Sequence, residues 1–182
     1  MARKITAPFT LTENISTLAA DTFVQDTIDI ASYISVGSRQ ALQIHKVDFV
    51  YQSKDGNDVV QGVATAFDTT LAAGTDVHVL LQLTDLNRGA MVLAEDSALM
   101  ASGQLRMTSA SDSHASDLYP DNYKGPDGRT VVNDQIYFGC QFHGAIDGGT
   151  TLEVTVRIEC QIVELSTADW MAIAIQSTAA DN

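Results

Sequence analysis

The stretch GGTTLEVTVRIECQIVELSTADWMAIAIQ, residues 148–176, decides how the chain is read. From Leu152 to Ile162 it alternates strictly. Leu152, Val154, Val156, Ile158, Cys160 and Ile162 share one face; Glu153, Thr155, Arg157, Glu159 and Gln161 share the other. A period of two over that length is a half-buried β-strand. Then the pattern changes. Ser166 is placed to cap a helix, with Asp169 at the third helical residue, where a carboxylate suits the helix dipole. The segment DWMAIAIQ (169–176) is apolar almost all round. Trp170, Ile173 and Ala174 make one stripe at helical spacing, and Met171 and Ile175 make a second beside it. Two apolar stripes need two surfaces to pack on.

The segment before this strand, QIYFGCQFHGAI (135–146), has its apolar residues on the same parity. Asp147-Gly148-Gly149 between the two reads as a hairpin loop. In that register Cys140 faces Val156, Cys160 faces Ile136, and His143 faces Glu153. The cysteines then sit four residues apart along the ladder, roughly 13 Å. A disulfide needs Cα atoms within about 7 Å, so both are expected as buried free thiols.

Further upstream, FVQDTIDIASYISV (23–36) carries Ile28, Ile30 and Ile34 among polar residues. RQALQIHKVDFVYQ (39–52) alternates, but the set containing Val47, Phe49 and Tyr51 becomes solidly apolar only after His45. SKDGND (53–58) reads as a turn with Asp55-Gly56 as its positive-φ pair, and VVQGVATAF (59–67) as the returning strand. DVHVLLQL (76–83) aligns Val77, Val79, Leu81 and Leu83. AMVLAEDSALMA (90–101) fits a short helix over 92–100, and GQLRMTSA (103–110) reads better as a strand. SASDSHASDLYPDNYKGPDGRT (109–130) holds Pro120 and Pro126 and reads as a long loop, a kind that is usually functional. Tyr119 and Tyr123, displayed there among Asp, Asn and Gly, are good contact residues; the other reading folds their rings back over the domain. Seven or eight strands with one late helix make an all-β, two-sheet sandwich or a barrel.

Composition bounds the function. The chain has 182 residues, 45% apolar and 18% charged, which suits one globular domain. Its net charge of −13 repels phosphates and anionic membranes, so strong direct nucleic-acid binding is not expected. Every apolar run is far shorter than the ~20 residues of a membrane-spanning helix, so no membrane insertion is expected. MARKITAPFTLTENISTLAADTF (1–23) has no apolar h-region and reads as no secretory signal. The sequon at Asn14-Ile15-Ser16 is therefore expected to go unused.

Catalytic patterns are missing from the sequence. A cupin-type metal site needs two histidines at i, i+2, and DVHVLLQ supplies one; His45, His114 and His143 stand apart. There is no G-x-S-x-G elbow and no phosphate-cradling glycine loop. With 23 carboxylates, chance pairs are inevitable. The Asp-rich turns KDGND and YPDNYKGPDGR offer oxygen donors to Ca²⁺, but turn chemistry explains them and neither fits an EF-hand. No enzyme activity, cofactor or metal is expected.

An all-β domain of this size, with an arm-like Thr- and Asn-rich start and a long late loop, resembles the single jelly-roll coat proteins of icosahedral viruses. DTIDIASYISVGSRQALQIHKVDFVYQ (26–52) is similar to virion structural proteins from marine viral sequences. The resemblance implies an arm over 1–20, a jelly-roll-like β-sandwich over 21–165, and a short C-terminal helix and tail over 166–182. It implies self-assembly into a capsid or shell, other virion proteins as further partners, and a virion location after assembly in the host cytoplasm. The subunit-contact candidates are Tyr119, Tyr123, Trp170, Met171 and Ile175. Two features depart from the family. Only Arg3 and Lys4 are basic near the start, and the two tight hairpins leave an immunoglobulin-like or meander-type sandwich open. The alternative function is a β-sandwich binding module that recognises a glycan or a protein through its loops.

Overall fold

The computed structural model describes residues 2–17, 21–67, 76–108, 112–119, 128–146 and 148–179. Its strands are β1 (Arg3–Lys4), β2 (Phe9–Thr17), β3 (Phe23–Asp29), β4 (Gln40–Lys54), β5 (Val60–Gly62), β6 (Asp76–Thr84), β7 (Leu99–Thr108), β8 (Asp112–Tyr119), β9 (Arg129–Val131), β10 (Gln135–His143) and β11 (Thr151–Glu164). Helix α1 (Thr167–Ala179) follows, and short 3-10 turns occupy Ala31–Tyr33 and Val63–Phe67.

Pairing divides the strands into two sheets. The first has β11 at its centre, with β4 on one side and β2 on the other; β9 pairs the far edge of β4. The second runs β3-β10-β6-β7-β8. Count only β2, β3, β4, β6, β7, β9, β10 and β11. The first sheet is then first-eighth-third-sixth, and the second is second-seventh-fourth-fifth. Only the β6–β7 connection stays within a sheet. That order is a jelly roll, two Greek keys folded on each other. It closes the immunoglobulin-like and meander alternatives.

The strand order corrects the register expected around Asp147. β10 pairs β3 and β6, while β11 pairs β4 and β2, so the connection between them, in which Gly148 and Gly149 are described and Asp147 is not, runs from one sheet to the other. Cys140 is opposed by Val24 and Leu81, and Cys160 by Ile44 and Phe9. His143 is opposed by His78, and its Nδ1 lies 3.0 Å from Asp21 Oδ1. The difference has a physical cause. Short Asp/Gly runs permit sharp reversals, and they do so within a sheet or between sheets. The thiols are nevertheless free and buried. Burial pushes each up to about 12, with the charge of Glu159 adding to the effect at Cys160. Both should therefore resist a thiol reagent in the native protein at pH 8 and react together once it is unfolded in denaturant without reductant. Absorbance titration checks this; fewer than two thiols after unfolding would refute it.

Other expectations also shift. The turn after β4 does close a hairpin to β5, but the positive φ falls on Asp58 (60°), not on Asp55-Gly56. Asp55 acts through its side chain, accepting bonds from the N–H groups of Asn57 and Val59. VVQGVATAF is only briefly a strand before it turns 3-10 at Val63. Residues 92–98 form no helix, and turns there lead into β7. Within the segment read as an arm, β1 and β2 both pair with β11. The Phe9, Leu11, Ile15 parity of β2 is interrupted by Glu13, which weakened its signal in the sequence. Within the segment read as a long loop, Asp112–Tyr119 is β8, a strand added to the edge of the second sheet.

The core lies between the sheets. Val77, Val79, Leu81 and Leu83 of β6 meet Leu152, Val154, Val156 and Ile158 of β11, all nearly or fully buried. Each such side chain contributes roughly 1.5–3 kcal/mol. Phe67 stacks on Phe142 at 5.4 Å and Phe49 on Phe138 at 6.1 Å. The change of parity at His45 is a β-bulge. Glu159 pairs Lys46 but Cys160 pairs Ile44, so His45 is the extra residue. Before it Leu42 and Ile44 point inward; after it Val47, Phe49 and Tyr51 do.

A half-buried ion pair links the two sheets. Arg129, which opens β9, donates to Asp85 Oδ2 at 3.0 Å and to Ser97 O at 2.8 Å. Asp85 follows β6 and is buried, and burial holds its carboxyl above the usual range despite the guanidinium.

Candidate subunit interface

Helix α1 is built as the sequence reads. Ser166 Oγ accepts the Asp169 N–H at 3.1 Å and donates its hydroxyl to Asp169 Oδ2 at 2.8 Å. This is a shortened relative of the capping box. The Trp170 N–H bonds Ser166 O to begin the helix. Arg39 steadies the approach: its carbonyl accepts the Leu165 N–H, and its guanidinium reaches Glu164 Oε1 at 3.3 Å.

Trp170 is buried in a small second cluster with Ala41, Val163 and Leu165, and half-buried Ile173 packs against it. Ala41 and Val163 are directly opposed across β4 and β11. Their neighbour Leu42 points into the main core, so Ala41 and Val163 point to the outer face of the first sheet. The anchor of α1 is thus the outer face of a sheet, not the end of the sandwich. The sequence held a signal for it. Ile162, Val163 and Leu165 are apolar on both parities, as happens where both faces of a strand are covered. The next rung, Gln161 Nε2 to Gln43 Oε1 at 2.6 Å, is a buried, satisfied pair.

Met171 and Ile175 lie on the other side of the helix and are 53% and 60% exposed. The two stripes of the sequence are therefore one docked stripe and one largely exposed stripe. Tyr119 ends β8, opposite Ser102 of β7. Tyr123 lies outside the described residues.

The described residues also line two larger surface grooves. One, of about 340 Å³, crosses the outer face of the first sheet and is lined by Thr10, Asp48, Val50, Arg157 and Glu159. It is polar, and its Asp48 is held by Lys46 at 2.7 Å. The other, of about 270 Å³, lies on the outer face of the second sheet beneath the segment Met91–Leu93. It was not legible in the sequence, because its apolar walls come from a strand and from a loop that folds back over it. Among the described residues no cluster of three or more His, Cys, Asp or Glu is placed to hold a metal.

No family model matches the chain, and no curated protein matches it. Among solved structures, several viral proteins align with the chain. The VP1 of trichodysplasia spinulosa-associated polyomavirus in complex with 6'-sialyllactose aligns with a TM-score of 0.49 and 7% identity, over 90% of this chain and 98% of that one. The same VP1 with 3'-sialyllactose gives 0.45 and 6%, over 88% and 96%. Desmodium yellow mottle tymovirus gives 0.28 and 10%, over 89% and 86%. All three scores fall below 0.5, so the jelly-roll assignment stands on the strand pairing itself.

Proposed function

We propose that the protein is a structural subunit that self-assembles into a viral capsid or comparable shell. One observation carries the reading: a capped helix, anchored by Trp170, presents large apolar side chains, Met171 and Ile175, more than half exposed. Jelly rolls serve as capsid, lectin and cupin domains, so the fold alone does not choose between them. Between the sheets, where an enclosed ligand would sit, Phe67, Phe138, Phe142, Leu81 and Ile158 are fully buried. That favours work done at the surface, structural rather than catalytic. In this reading the subunit resides in a virion, of the marine type that its sequence resembles, after assembly in the host cytoplasm. Other virion proteins are further partners, and segment 166–182 is the contact element.

Size-exclusion chromatography with negative-stain imaging tests the reading. Large regular particles are expected. A clean monomer that binds glycans would instead support a binding module. Ile175→Asp should give a folded protein that no longer assembles, because an unpaired carboxylate cannot be buried cheaply at an interface. Its circular dichroism should match the parent, since Ile175 is exposed in the single chain.

A further inference from the structure

We propose that the Met171–Ile175 stripe of α1 seats in the second-sheet groove of another copy, on Leu80, Gln82, Met91, Val92, Leu93 and Ser102. This names the receptor for the self-assembly reading above and rests on it.

The chemistry of the two surfaces matches. Residues 170–179 of the helix carry no charge, and neither do the residues lining the groove. In a chain of net charge −13, copies repel one another over most of their surface. Two uncharged apolar surfaces can meet without that penalty. Leu93 is 74% exposed at the rim, so each side offers an apolar residue that water now covers. Met171 and Ile175 stand at i and i+4, the spacing by which a helix lays side chains into a groove. The groove volume, about 270 Å³, falls just below the roughly 300–1,000 Å³ of small-molecule pockets. It suits the side chains of a docked helix better than an enclosed ligand.

The groove is also pre-formed. Gln82 Nε2 donates to Val92 O at 2.7 Å, and the Val92 N–H donates back to Gln82 Oε1 at 2.8 Å. Those two bonds pin the Met91–Leu93 wall to the strand below, so little ordering remains to be done on binding.

A chain cannot fill its own groove. Trp170 fixes α1 on the outer face of the first sheet, and the groove opens on the outer face of the second, across the whole core. The contact is therefore head-to-tail between copies. Such a heterologous contact propagates and closes into a ring or shell when the rotation permits.

Complementation between two spoiled copies tests this. Leu93→Asp spoils only the groove, and Ile175→Asp spoils only the helix; both sites are exposed, and thermal melts confirm that each variant folds. Alone, each should sediment as a monomer. Mixed one to one, they should form a heterodimer and nothing larger, since one intact helix meets one intact groove and the remaining pair is spoiled. Because a single contact is weak, a Met171→Cys copy mixed with a Leu93→Cys copy under mild oxidation provides a second readout, a disulfide-linked heterodimer. Leu93→Asp particles indistinguishable from the parent would overturn the groove assignment while leaving self-assembly intact. A mixture giving neither heterodimer nor cross-link would overturn it too. A parent chain that stays monomeric would remove both the groove and the assembly reading.

Discussion

Gly128→Ala is expected to destabilise the fold by about 3 kcal/mol or more, seen as a fall of roughly 6–12 °C in the thermal midpoint for a chain of this size. Gly128 has φ of +55°, where an L-residue costs about 1–2 kcal/mol. Strain is the smaller part. An added Cβ would stand 2.2 Å from Ile44 O and 3.1 Å from Ile44 C. That carbonyl belongs to β4 beside its bulge, where Ile44 is paired on both sides, to Arg129 and to Cys160. It cannot turn away without disturbing the ladder. Gly128 also leads directly into Arg129, whose bonds to Asp85 and Ser97 join the two sheets. Gly89→Ala is the matched control. Its φ is +62°, but nothing lies within 4 Å of the added atom. It should cost only the strain of roughly 1–2 kcal/mol. Equal melting shifts for the two variants would show that the close approach at Ile44 carries no weight.

Trp170→Ala should release α1 from the sandwich. Truncating a buried tryptophan removes about 3–5 kcal/mol of packing, and here that packing is most of what holds the helix. Among the described residues, only Trp170 and half-buried Ile173 of α1 join the small cluster on Ala41, Val163 and Leu165. A helix of 13 residues is marginal on its own in water. The Ser166 cap contributes about 1 kcal/mol, too little to keep it folded. Far-UV circular dichroism should lose its helical component, and limited proteolysis should cut beyond residue 166. The melting of the sandwich should move much less, because the main core between the sheets does not include Trp170. Particles should not form. Retained helicity and normal particles would mean that other contacts dock the helix.

The two variants probe features of different legibility. The cap, the two stripes of α1 and the burial of Trp170 follow from spacing within one turn of helix. Gly128 lies in a Gly/Pro/Asp-rich stretch and looks like any turn glycine; only the approach of β4, more than 80 residues upstream in the chain, makes it intolerant. Likewise His45 marks the shift of parity in the sequence, but the shift becomes a bulge only when Glu159 and Cys160 are seen to pair across it.

By itself the sequence determined what local periodicity can determine. Alternation picks the inward set of β6 and β11, since a period of two puts one face in the core whatever the partner strand. It also makes both cysteines inward-facing, and their burial as free thiols holds even though the register first used to argue it was wrong. The tertiary structure alone decided which strands pair. An alternating segment carries no label for its neighbour, and Asp147-Gly148-Gly149 serves a hairpin or an inter-sheet corner equally well. The choice came from closing two faces over one core, which placed β10 and β11 in opposite sheets and produced the jelly-roll order. The same closure set the anchored helix and the Leu93 groove on opposite outer faces, because strands adjacent in the chain were sent to opposite sides of the core.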